Sequence, residues 1–79
     1  MPTFIREQGL KVSIYVDDHE PAHVHVRGDG EVKIVLGQDG EAPRVAYIRY
    51  MTFRDVARAL AIVSRDNASL LAEWKKIHD

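Results

Sequence analysis

The hydrophobic pattern of this chain changes its period once, at Thr52, and that change constrains the fold more than any other feature. Before Thr52, apolar residues alternate with polar ones in short runs, which is the pattern of β-strands with one buried face. After Thr52, apolar or neutral residues recur in steps of three and four up to Ile77, as in an amphipathic helix. A block of strands followed by a block of helix predicts an α+β fold.

Turn signals divide the first fifty residues into about four strands of a small antiparallel sheet. The GDG sequence at 28–30 lies between two alternating runs and is typical of a tight hairpin. TFIRE at 3–7 can add a short edge strand. The expected strands are KVSIYV at 11–16, HVHVR at 23–27, EVKIVL at 31–36 and RVAYIRY at 44–50.

The C-terminal helix is expected to pack on one face of this sheet and to break near residues 64–67. An unbroken helix from Phe53 to Ile77 would be about 37 Å long, whereas a six-residue strand spans only about 20 Å. Ser, Asp and Asn in this stretch can cap a second helix. The alternative is one long helix whose overhang packs on another protomer. Thr52 followed by Asp55 resembles a capping box and predicts the start of the helix.

Strand alternation predicts the two faces of the sheet. The apolar face should meet the helix through Val12, Ile14, Val16, Val24, Val26, Val32, Ile34, Leu36, Phe53, Val56, Leu60 and Val63. In the last run, Ala46, Ile48 and Tyr50 should oppose Val45, Tyr47 and Arg49. The other face should then be polar and accessible, with Tyr15, His23, His25, Arg27, Lys33, Tyr47 and Arg49.

Composition limits the classes of function. The 79 residues 1–79 are expected to form a single domain. There is no cysteine, which excludes disulfides and thiolate zinc sites and favours a reducing cytoplasm. The formal charge of −1 lacks the basic surplus of a strong DNA-binding protein. No apolar run reaches about 18 residues, so we expect no membrane span, and the N-terminus has no signal-peptide pattern.

Three of the four histidines lie in DDHEPAHVHVR at 17–27. His23 and His25 are two residues apart on a predicted strand, so both project from one face about 7 Å apart. His19, in the preceding turn, can approach as a third ligand, with Asp17 or Asp18 as an oxygen donor. Three imidazoles with an open position are typical of a zinc-type catalytic site. The first hypothesis is therefore a divalent metal held by His19, His23 and His25.

The second hypothesis is acid–base catalysis on RNA. His23 and His25 would act as general base and general acid, with His19 positioning the substrate. Arg27, Arg49 and Lys33 would hold a phosphate, and Tyr15 and Tyr47 would offer rings for base stacking.

The third hypothesis is a non-catalytic interaction module. Its histidine turn would be structural, and its sheet face or the region around Trp74 would bind a partner protein or a second copy of the chain. The residue pattern leaves all three hypotheses open.

The N-terminal sequence MPTFIREQGLKVSIYVDDHEPAHVHVR resembles a family of small bacterial and archaeal proteins known as domain of unknown function 4160. Its members carry the pattern Asp-His-x-Pro-Pro-His-x-His-Val, which falls here on Asp18, His19, Pro21, Ala22 in place of the second proline, His23, His25 and Val26. The resemblance implies a cytoplasmic toxin–antitoxin-like module with a small partner protein encoded nearby. Combined with the histidine pattern, it makes action on RNA our leading hypothesis, with the interaction module as the competing one.

Overall fold

The computed structural model describes the backbone of residues 3–78 and the side chains of residues 5–78. Its five strands form one antiparallel sheet in chain order, and two helices follow. The α+β prediction is confirmed, with five strands rather than about four because TFIRE pairs with the next strand. The elements are β1 Thr3–Glu7, β2 Leu10–Ser13, β3 His23–Arg27, β4 Glu31–Val35, β5 Arg44–Arg49, α1 Phe53–Arg65 and α2 Asn67–His78.

The expected helix break lies at Asp66, between α1 and α2. The side-chain amide of Asn67 donates to the carbonyl of Gly37 over 2.8 Å and accepts from the Gly37 N–H over 2.9 Å. This pair of bonds fixes the helix junction to the loop after β4. The predicted start is also confirmed, since Thr52 caps α1 by accepting from the N–H of Asp55 over 3.2 Å.

The core combines one face of the sheet with residues from both helices. Central β3 contributes Val24 and Val26, both fully buried, and α2 contributes Leu70 and Trp74. The largest fully buried side chains are Trp74, Ile14, Ile34, Leu70, Val12, Val24, Val26, Val32 and Val63. Their burial confirms most of the predicted apolar face.

Val16, Phe53 and Ile48, three residues expected on the apolar face, are exposed, Ile48 at 44%. Val16 is 63% exposed because β2 ends at Ser13, so strand alternation no longer holds three residues later. Phe53 is 87% exposed because it is the first residue of α1. The buried stripe of α1 begins one turn later, at Val56.

A bulge in β5 corrects the predicted register of that strand. Tyr47 pairs with Lys33 and Val45 with Ile34, so Ala46 is the extra residue between two consecutive pairs. Val45 therefore packs against the core rather than on the polar face with Tyr47. Tyr50, expected to share the apolar face, is 91% exposed with a left-handed backbone at φ 58°.

Candidate metal centre

Strand β3 places two histidines together on the face opposite the core. Val24 and Val26 point into the core, and the alternate residues His23 and His25 bring their ring centroids to 5.2 Å. The predicted shared face is confirmed, but the predicted accessibility is wrong, since the two residues are only 4% and 8% exposed. Rings cover them because α2 brings Trp74 to 5.1 Å from His23, and Tyr15 lies 4.5 Å from His25.

The loop between β2 and β3 supplies a carboxylate to this histidine pair. Oδ2 of Asp18 lies 3.0 Å from Nε2 of His23 and 3.2 Å from Nε2 of His25. These three residues offer ligand atoms that all lie within 4.8 Å of one another. His19 is exposed and does not join the group, so Asp18 takes the place expected for a third imidazole.

Hydrogen bonding determines the tautomer of His23, and so which ring nitrogen carries the lone pair that faces the Asp18 carboxylate. Nδ1 lies 2.8 Å from the carbonyl oxygen of Pro21, which can only accept, so Nδ1 carries a hydrogen. In a neutral ring, Nε2 then has no hydrogen and directs its lone pair at Asp18. Two lone pairs at this distance repel each other, so the contact requires a proton or a metal ion between Nε2 of His23 and Oδ2 of Asp18.

His25 has the same requirement with different partners. Its Nδ1 lies 3.1 Å from Oε2 of Glu31, while its Nε2 faces Asp18. A neutral imidazole has one N–H, so it can donate to only one of two carboxylates. A cation between His23, His25 and Asp18 leaves Nδ1–H of His25 free to donate to Glu31 and satisfies every contact.

The donor atoms fit a divalent ion of the zinc class. Two ligand atoms at 2.0–2.1 Å from one ion lie roughly 3 Å apart, which matches the two contacts of Asp18. Metal-bound histidines usually donate their other N–H to a carboxylate or backbone carbonyl. Here Pro21 and Glu31 provide that carbonyl and that carboxylate.

Comparison with known proteins bears on this region. A family model described as domain of unknown function, DUF4160, matches residues 9–75. The chain belongs to the DUF4160 family. The match includes all three residues of the centre, and it confirms the family suggested by the N-terminal sequence. The comparison with curated proteins gave no match, and neither did the comparison with solved structures.

Glu31 links the centre of this DUF4160 domain to its neighbours. Besides His25, the carboxylate accepts from the Tyr47 hydroxyl over 3.1 Å and from Nε of Arg27 over 3.2 Å. Burial tends to raise the pKa of Glu31, but the hydrogen bonds from His25, Tyr47 and Arg27 outweigh it, so the pKa is lowered. Burial and the bond to Glu31 raise the pKa of Tyr47, which keeps this phenol a donor.

The residues expected to bind phosphate and bases lie beside the centre of the DUF4160 domain. Lys33 and Arg49 lie over the ring of Tyr47, at 5.8 and 5.3 Å from its centroid. Tyr15 packs on His25. Both tyrosine rings therefore already contact other side chains of the protein. Phosphate binding by the cations and base stacking on the tyrosines stay predictions.

Sequence reasoning missed Glu31 and the contact of Trp74 with His23. The GDG hairpin contained a signal for the first, because a tight turn places Glu31 opposite Arg27 and next to His25 on the same face. No short-range sequence pattern indicates the contact of Trp74 with His23. Trp74 reaches His23 only because the helix breaks at Asp66, and its Nε1–H also donates to Glu20 over 3.2 Å.

None of the helices in the described part of the chain is long and apolar enough to cross a membrane.

Proposed function

We propose that this DUF4160 domain binds one divalent metal ion of the zinc class through Asp18, His23 and His25. One observation carries the proposal: Nδ1 of His23 is committed to a carbonyl, so its Nε2 lone pair meets a carboxylate oxygen at 3.0 Å. A metal ion satisfies all three groups at once, without unpaired buried donors.

Three protein ligands suit an ion that also binds water. Structural zinc sites are closed by four protein ligands, whereas catalytic sites use three and keep a position for water or substrate. The Asp18 side chain is 20% exposed, compared with 5% for His23, so the centre is most open on its carboxylate side. A zinc-bound water has a pKa near 7 and supplies hydroxide for hydrolysis. The reaction class that fits the centre is metal-assisted hydrolysis.

Calorimetric titration with zinc chloride tests the proposal. At about pH 7.5, wild-type protein should bind one ion, and binding should weaken near pH 5, where protonated imidazole cannot ligate. His23→Ala, His25→Ala and Asp18→Asn should each lower the affinity at least about 100-fold, because loss of a direct ligand exceeds the 10–100-fold cost of losing its supporting partner.

Two neighbours provide matched controls. His19→Ala and Asp17→Asn make the same chemical changes at exposed positions outside the cluster and should leave the affinity unchanged. Absence of binding heat from folded wild-type protein with zinc, nickel and cobalt would reduce the cluster to a protonated structural network. Equal losses in the control and ligand variants would show that the metal binds elsewhere.

A role in a toxin–antitoxin-like module, with RNA as target and a small protein as partner, is our second proposal. Its support is the sequence resemblance described above, together with the cations Arg27, Lys33 and Arg49 on the side of the sheet that holds His25. In this proposal a bound ion does the hydrolytic work, because both Nε2 atoms face Asp18 instead of a substrate. Wild-type protein with zinc should cleave RNA, and a His23→Ala variant should not. Intact RNA with every metal would leave the interaction module as the better proposal.

A further inference from the structure

A row of cations crosses the first three strands on the polar face. Arg6 pairs directly with Lys11, and Lys11 pairs directly with Arg27. Directly paired residues of an antiparallel sheet project from the same face about 5 Å apart. The row continues to Glu31 and Arg49 on β4 and β5. Four of its five members are therefore positive, in a chain whose formal charge is −1.

Arg6 and Lys11, at the β1–β2 end of this row, have no ion-pair partner among the described residues. Glu31 pairs with Arg27. Glu7, the nearest carboxylate in sequence, is held by Arg65 through bonds of 2.9 and 3.1 Å. Like charges directly opposite each other destabilise a sheet. Among the described residues, no ion pair offsets the cost of placing Lys11 between two arginines.

A groove runs along the same three residues. It has a volume of about 680 Å³ and lies between the β1–β2 and β3–β4 turns, with Arg6, Lys11 and Arg27 in its lining. Asp29, on the rim, is the carboxylate in the lining besides Glu7. Gly28, also in the lining, packs tightly against Leu10, since a Cβ there would lie 2.8 Å from the Leu10 side chain.

We propose that Arg6, Lys11 and Arg27 bind the phosphate backbone of a single-stranded nucleic acid. A positive groove that follows the backbone, with aromatic rings nearby, is typical of such binders. Tyr50, which follows Arg49 in sequence, is 91% exposed, so its ring is accessible for stacking. An anionic membrane fits less well, because membrane-surface elements combine cations with inserted apolar side chains, whereas the apolar side chain in this groove, Leu10, is buried. This site goes beyond the metal centre and does not require an ion.

Fluorescence anisotropy with a labelled oligouridylate of about 15 nucleotides tests the site. Lys11→Glu should weaken binding at least about tenfold and lower the slope of log affinity against log salt by about one. Arg54→Glu makes the same change in charge at an exposed position on α1 and should alter the affinity less than about twofold. Tyr50→Ala should weaken binding at least about fivefold and leave the salt slope unchanged.

The melting temperature and the zinc affinity of Lys11→Glu distinguish a loss of nucleic-acid binding from a loss of folding or of the metal centre. Lys11→Glu relieves repulsion from Arg6 and Arg27, so it should raise the melting temperature while it weakens RNA binding. Its zinc affinity should match that of the wild type, which keeps this site distinct from the metal centre. The proposal is overturned if Lys11→Glu and Arg54→Glu weaken binding equally. Wild-type protein that binds phosphatidylserine-containing vesicles but not the oligonucleotide would overturn it as well.

Discussion

Glu31 Oε2 lies 3.1 Å from Nδ1 of His25, on the side of the ring opposite Asp18. The carboxylate therefore orients this imidazole so that Nε2 faces the centre of the cluster. Glu31 is not among the ligand candidates, since its oxygen faces the other nitrogen. Its contribution to metal binding should be indirect, through the tautomer and orientation of His25.

Glu31→Gln should lower zinc affinity about 10–100-fold, the usual effect of losing a carboxylate that supports a metal-bound histidine. The amide keeps the shape of the side chain but removes its charge. Glu41→Gln is the matched control, because Glu41 is exposed in the loop before β5. Calorimetric titration measures both variants. An unchanged affinity in Glu31→Gln would show that the orientation of His25 does not depend on this bond.

Asn67→Ala should lower the free energy of unfolding by about 1–3 kcal/mol, because it leaves the N–H and the carbonyl of the buried Gly37 without their side-chain partner. Ser69→Ala, at an exposed position of α2, should change it by less than about 0.5 kcal/mol. Urea unfolding followed by circular dichroism gives both values. A loss no larger than that of the control would mean that the helix junction holds without this amide.

Arg65→Gln should change the pH dependence of stability. Hydrogen bonds from Arg65 lower the pKa values of Glu7 and Asp66, so these carboxylates stabilise the fold above their ordinary pKa values of 4.5 and 3.8. That stabilisation is lost as the pH falls through the lowered values. The gap in unfolding free energy between wild type and variant should therefore be largest at neutral pH and shrink in acid.

Arg54→Gln is the control for this measurement, since Arg54 makes no ion pair within the described residues. Its difference from wild type should not vary between neutral pH and acid. High salt should reduce the difference in unfolding free energy between wild type and Arg65→Gln, because Arg65 and its two carboxylate partners are accessible to screening ions. A gap that widens in acid would contradict the assigned direction of the two pKa shifts.

Gly30→Ala should destabilise the protein by about 1–3 kcal/mol, the usual range for forcing extra volume into a packed site. A Cβ at Gly30 would overlap the backbone carbonyl of Tyr50, which cannot move as a flexible side chain can. Asp29→Ala, at the exposed neighbouring position, serves as control. Equal melting temperatures for the two variants would show that the chain around Tyr50 shifts without penalty.

Local patterns predicted much of this fold. The alternation around Val24 and Val26 identified β3 and its two faces, and the GDG turn identified the β3–β4 hairpin. Both depend on residues close in sequence. The failures at Val16 and Val45 have a common cause: an early strand end and a bulge each shift the alternation by a local backbone change that side-chain pattern does not record.

The candidate site was predicted only in part for a related reason. His23 and His25 share a face by strand geometry alone, so the sequence was sufficient for them. The burial of His23 depends on Trp74, which is about fifty residues away and arrives through the helix break. The choice of Asp18 over His19 depends on the path of one loop. Contacts of that kind follow from the packed fold and not from spacing.

The three candidate ligands lie within the eight residues from 18 to 25. A segment this short keeps its donor groups at a high effective concentration even when the chain is unfolded. An unfolded chain that retains metal affinity reduces the stabilisation that the ion gives to the folded state. Zinc should therefore raise the melting temperature by less than its affinity for the native protein implies, and it can order the turn before the helices pack.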